Sequence, residues 1–159
     1  MTVQSPNHEP RPEWVGIDTI VLHATVLDTI EEVCEHFQKA DLGVSAHYTI
    51  DRTGGVYQHV DETEKAFHAG VSEMADGRTG ANNFSIGIEL VNRNDGFDPY
   101  PVDQITALRE LIGEIAARHP IRHIVSHAEI ARPAGRKSDP VGLDIEPLRR
   151  LLLFGDSHA

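Results

Sequence analysis

Asp18-Thr19-Ile20-Val21-Leu22-His23-Ala24-Thr25 is short, apolar and rich in β-branched residues, the pattern of a buried strand. Working outward, residues 28–40 read as an amphipathic helix. Residues 46–51 and 56–60 flank Arg52-Thr53-Gly54-Gly55, a hairpin signature. Phe84–Val91 is another strand. Alternation puts Ser85, Gly87, Glu89 and Val91 on one side, and Phe84, Ile86, Ile88 and Leu90 on the other. Residues 103–119 form the longest helix, with Ile105, Leu108, Leu111, Ile112 and Ile115 at helical spacing. A fourth strand covers 122–127, and a Pro/Gly loop follows over 128–143. Asp144 can cap a last helix running to about Leu153, with Pro147 tolerated in its first turn. No internal repeat interrupts the order. The pattern predicts an α/β fold, one domain built around a single sheet.

The domain is expected over residues 16–154, preceded by a loose polar, proline-rich arm (1–15) and followed by a frayed tail (155–159). Residues 61–83 are rich in Gly, Asn and Asp and longer than a usual connection, which marks a functional loop. The chain has 159 residues, about one domain's worth, and a formal charge of −11. That charge argues against nucleic acid or an anionic membrane as partner. The N-terminal residues lack an apolar signal core, and no run has the length of a membrane span. A soluble protein made in the cytoplasm is expected. Cys34 is the one cysteine, so no intramolecular disulfide forms. It shares a helical face with Ile30, Val33 and Phe37 and reads as core.

Chemistry concentrates at two strand ends and one loop. His23 ends one strand and His127 another, and ligands in α/β folds assemble at strand ends. Asp139 lies on the loop after His127. Two imidazoles and a carboxylate with one open position suit a catalytic zinc site. Each histidine alone also has a plain structural reading as a hydrogen-bonded residue. Glu89 is either a carboxylate at a solvated strand face or a general base. Lys137, two residues before Asp139, is either a solvated loop lysine or a cation suited to an oxyanion. His47 and Tyr48 are adjacent on a strand and face opposite sides, so one lines a cleft and the other packs. His68 and Arg136 are further candidate cleft residues.

Six blocks occur in one order: Val21–Thr25, Val44–Tyr48, Phe67–Ser72, Asn83–Leu90, Ser126-His127 and Gly135–Pro140. In these blocks, from about Asp18 to Leu153, the chain resembles the amidase-2 family of zinc N-acetylmuramoyl-L-alanine amidases, relatives of phage amidase lysozymes and peptidoglycan recognition proteins. The resemblance implies a central mixed sheet flanked by helices. It also implies Zn2+ held by His23, His127 and Asp139. Aspartate as third ligand is similar to the AmpD-like branch, in which the residues matching Glu89 and Lys137 are catalytic. The implied reaction is hydrolysis of the amide between N-acetylmuramic acid and L-alanine, in peptidoglycan or muropeptides. Ala46 stands where some phage and receptor members carry a catalytic tyrosine, so Tyr48 is given no such role. The short stretch between His23 and Val44 predicts a groove lacking one wall and open to polymeric peptidoglycan. The alternatives are a non-catalytic peptidoglycan receptor, a cytosolic anhydro-muropeptide recycling amidase, or a zinc hydrolase of another amide.

Overall fold

The computed structural model describes residues 1–155. In chain order its elements are β1 (His8–Pro10), β2 (Thr19–Ala24), α1 (Ile30–Gln38), β3 (Tyr48–Ile50), β4 (Val56–Gln58), β5 (Glu64–Ala66), β6 (Ser85–Leu90), α2 (Val102–Arg118), β7 (His123–Ser126), α3 (His127–Ile130) and α4 (Glu146–Gly155). Five strands form one sheet in the order β4-β3-β6-β2-β7. β2 runs parallel to β6 and β7, and β3 parallel to β6. β4 joins antiparallel through the expected hairpin, so the sheet is mixed. The hairpin turn is held by Asp51, whose Oδ1 accepts from the amides of Thr53 (3.0 Å) and Gly55 (2.7 Å). Gly54 takes a φ of +90° there, which a side chain would resist.

The two faces of the sheet differ chemically. On one, Ile20 and Leu22 of β2 and Ile86, Ile88 and Leu90 of β6 meet Leu108, Leu111, Ile112 and Ile115 of α2, with Leu148 of α4 alongside. These side chains are buried, and each contributes roughly 1.5–3 kcal/mol by leaving water. The other face carries His23, Thr49, Ser85, Gly87 and Glu89. The alternation of β6 is the cause: its even positions are apolar and its odd positions small or polar. That polar face holds the site. Gln104 enters the apolar side, where its Nε2 donates to the Ile50 and Val91 carbonyls at 3.0 and 3.2 Å, capping two strand ends.

Residues 1–15 are not a loose arm. Val3 N donates to Gln58 O and Ser5 N to His59 O, each at 2.9 Å, so the segment lies along the free edge of β4. β1 then pairs antiparallel with β5. Ser5 and Asn7 are buried. Asn7 Nδ2 donates to the carbonyls of Lys39 (3.1 Å) and Val44 (2.9 Å). The Arg11 guanidinium donates to the carbonyls of Glu62, Asn82, Asn83 and Ser85 at 2.9–3.2 Å. Prolines and polar residues are what an edge-covering segment uses, because its donors need only one partner strand. Cys34 is not part of the core: it is half-buried, while Val33 and Phe37 fill the cluster under α1. Residue 155 ends α4, and positions 156–159 of the expected tail lie outside the described residues. No described helix is long and apolar enough to cross a membrane.

Candidate metal centre and cleft

The strand register assembles the site. His23 pairs with Glu89 across β2 and β6, and Leu22 pairs with Ser126 across β2 and β7. His127, one residue beyond β7, therefore comes level with His23 on its other side. Strand spacing of about 4.8 Å brings three side chains from three neighbouring parallel strands to one height. A capping box fixes the turn at His127. Ser126 Oγ accepts from Glu129 N (3.0 Å), and Glu129 Oε1 accepts from Ser126 N (3.1 Å). Such a cap contributes about 1 kcal/mol and sets where β7 becomes α3. The following loop returns Asp139 over the strand ends. Its carbonyl accepts from Ala128 N (2.9 Å), and its Oδ2 lies 3.3 Å from Ala24 N, which donates to it.

His23 Nδ1 and His127 Nδ1 face each other at 3.1 Å. Asp139 reaches both, at 3.3 Å from His23 Nδ1 and 3.2 Å from His127 Nδ1. All three residues are buried, and their ligand atoms lie within 4.8 Å of one another. His127 Nε2–H donates to the Ala69 carbonyl at 3.0 Å, which leaves Nδ1 as the nitrogen turned inward, with its lone pair when the ring binds a metal. His23 Nε2 meets His68 Nδ1 at 2.9 Å, and His68 Nε2 meets Ser85 Oγ at 3.1 Å. When His23 donates along this chain, its Nδ1 also presents a lone pair. Two lone pairs and a carboxylate converging on one point repel unless a cation sits between them. The residues present therefore fit a divalent metal ion, with the outward ring nitrogens held by acceptors as ligand histidines require. Burial alone would raise the Asp139 carboxyl, but the His127 and His23 rings beside it outweigh burial and hold it well below the usual carboxylate range. Burial pushes His23 and His68 down, which keeps both rings neutral.

Glu89 lies beside this group, its Oε1 4.0 Å from His23 Nδ1. Its Oε2 is buried and has no hydrogen-bond partner. Burial, and then the charge of Asp139, push its carboxyl up to about 8, against the pull of Lys137. Lys137 is exposed and, with Arg136, lines the same cleft of about 460 Å³ as His23, His68, Glu89, His127 and Asp139. Arg136 is committed to backbone: Nη2 donates to the Ala69 (3.2 Å) and Val71 (3.0 Å) carbonyls.

His47 does not line the cleft. It is fully buried, with Nδ1 accepting from Gly87 N (3.1 Å) and Nε2–H donating to Glu64 O (2.8 Å). Burial drives its pKa down to about 3, so it is a neutral strut under the sheet's polar face. Tyr48 packs on the opposite face and donates to Glu62. The short segment after His23 lines one side of the cleft: Thr25, Val26 and Leu27 face it together with Val33, His36 and Phe37 of α1. Val26 holds a φ of +65°, a strained conformation for a β-branched residue, and is 61% exposed.

Two further residues support the site. A Cβ on Gly87 would lie 2.5 Å from the His68 ring, so only glycine lets that ring lie against β6. A glycine inside an otherwise apolar strand signals such close approach. Asn82 Oδ1 accepts from both His68 N (3.1 Å) and Ala69 N (2.8 Å), and no spacing pattern announces it.

Comparison with known proteins places this geometry. Residues 13–142 match the family model described as N-acetylmuramoyl-L-alanine amidase. A Rickettsia conorii protein named as such an amidase is 37% identical over 120 residues, 73% of this chain and 43% of that protein. The 1,6-anhydro-N-acetylmuramyl-L-alanine amidase AmpD of Haemophilus influenzae is 34% identical over 87% of this chain and 83% of its own length. Among solved structures, a selenomethionine AmpD superposes with a TM-score of 0.82 at 29% identity, covering 95% of this chain and 93% of that one. The E. coli amidase AmiD, solved with its substrate anhydro-N-acetylmuramic acid-L-Ala-D-γ-Glu-L-Lys, gives 0.75 at 33% identity, over 93% of this chain and 60% of that one. The chain thus spans less than two thirds of some relatives and most of others.

Proposed function

Because the chain belongs to the N-acetylmuramoyl-L-alanine amidase family, we propose that it is a zinc-dependent hydrolase of the amide joining the lactyl group of N-acetylmuramic acid to L-alanine. The observation that carries this reading is the converging His23, His127 and Asp139 set with the unpartnered Glu89 carboxylate beside it, all lining one cleft. His23, His127 and Asp139 would hold the zinc ion, which would supply Lewis acidity toward a water molecule and the scissile carbonyl.

The protein's own groups do the rest. Glu89 takes a proton from the attacking water as its oxygen bonds to the carbonyl carbon, and returns that proton to the departing nitrogen as the C–N bond breaks. The products are a lactyl carboxylic acid and a peptide with a free L-alanine amino group. A cation held by His23, His127 and Asp139 would favour the ionised form of Glu89, the form a base needs. Lys137 holds its ammonium at the cleft edge, where it favours negative charge on the carbonyl oxygen; one such donor contributes on the order of 3 kcal/mol. With a divalent ion bound, Asp139 and Glu89 would together offset its charge, leaving Lys137 as the net cation at the cleft edge, where it favours anionic stem peptides.

The substrate class is soluble muropeptide and the stem peptides of polymeric peptidoglycan. The test is mass spectrometry after incubation with anhydro-muropeptide and, separately, with purified sacculi. Both should release stem peptides beginning with L-alanine, leaving the glycan intact. Consumption of anhydro-muropeptide with sacculi untouched restricts the enzyme to soluble fragments. Release from neither overturns the amidase reading.

A further inference from the structure

Both metal-facing histidines are held from behind by one dipeptide. The His68 ring takes the outer nitrogen of His23 (2.9 Å), and the Ala69 carbonyl takes the outer nitrogen of His127 (3.0 Å). The two ligands come from different strands, yet their orientation depends on the same two residues. Those residues lie outside regular structure, in the segment after β5, and their backbone donors are not spent on a sheet. Both amides instead converge on a single atom, Asn82 Oδ1, at 3.1 and 2.8 Å. Asn82 hydrogen-bonds to neither ligand.

We propose that Asn82 is a remote positioning residue for the metal site, fixing the His68-Ala69 dipeptide so that His23 and His127 both turn Nδ1 toward the ion. This rests on the metal-site reading above. The physical reason is directional. A ligand imidazole bonds metal along its lone pair, and its ring angle follows the acceptor behind it. Released from Asn82, the dipeptide gains backbone freedom. His68 then loses its register against Ser85 and His23, and the Ala69 carbonyl moves off the His127 axis. One side chain thus acts on two ligands at once, where an ordinary outer partner acts on one.

Asn82→Ala removes the acceptor; Asn82→Asp keeps it and serves as the conservative rescue. Zinc affinity is measured by competition with a chromophoric chelator, and ligand geometry by the visible spectrum of the cobalt-substituted protein. Losing an outer partner of a ligand lowers metal affinity about 10–100-fold. Asn82→Ala should fall in that range with an altered cobalt spectrum, and Asn82→Asp should restore both. Asn82→Ser, too short to reach both amides, provides the same comparison should Asn82→Ala not fold. Wild-type affinity and spectrum in a folded Asn82→Ala or Asn82→Ser protein would overturn the proposal and leave the metal site standing. Failure of the unaltered protein to bind zinc would overturn the metal site itself.

Discussion

His23→Ala and His127→Ala should each strip the protein of its metal and abolish detectable hydrolysis. In the proposed site three ligands hold the ion, and two of them are these imidazoles, buried and aimed at one point. Loss of an outer partner already lowers affinity about 10–100-fold. Loss of the ligand must exceed that, because the ion then keeps one imidazole, one carboxylate and water. The two variants should differ in stability. His23→Ala leaves His68 without its partner in the chain to Ser85. His127→Ala leaves the Ala69 carbonyl with a donor from Arg136, so that acceptor stays satisfied. The larger fall in melting temperature is expected for His23→Ala, since an unsatisfied buried polar group costs about 1–3 kcal/mol. Metal content after dialysis, read by atomic emission, checks the first claim. Full zinc occupancy in either variant would remove that residue from the ligand set.

Glu89→Gln should separate chemistry from binding. The amide has the shape of the carboxylate but takes up no proton, so kcat should drop by roughly 10²–10⁴-fold with metal content unchanged. KM should move little, because the proton transfer it loses belongs to the transition state. The variant should also be no less stable than the parent. Glu89 is half-buried, with its Oε2 buried and unpartnered and Asp139 nearby. In the metal-free protein above about pH 8, where Glu89 is forced to ionise, a neutral side chain there relieves both burial of charge and like-charge repulsion. A site kept reactive at a cost in stability predicts this pairing of lost turnover with retained or raised melting temperature. Wild-type turnover in Glu89→Gln would make Glu89 a strand residue without a part in the chemistry.

The sheet was legible because its strands are encoded by hydrophobic pattern. Ile20 and Leu22, and Ile86, Ile88 and Leu90, mark the apolar face unambiguously, and period-two alternation then sends Glu89 to the other side. The metal group was legible because both histidines sit at the ends of recognisable strands; register completes the rest. The N-terminal segment was not legible. Its hold is through single edge bonds and through Asn7 and Arg11 reaching carbonyls, and none of these leaves a periodic trace. His47 was misplaced for a related reason. Alternation says which side of the sheet a residue faces, but what covers that side is set by the loop carrying His68. Asn82 is the extreme case: its part is defined by two backbone amides that tertiary structure alone brings to it.

The most direct test of metal-dependent amide hydrolysis is a single reconstitution series on a defined muropeptide. Product masses are followed in the protein as purified, after chelation, and after return of one equivalent of zinc. The account predicts a peptide with a free L-alanine amino group, its formation abolished by the chelator and restored by zinc. Cleavage that persists in the chelated protein, or that falls at any other bond, would contradict it.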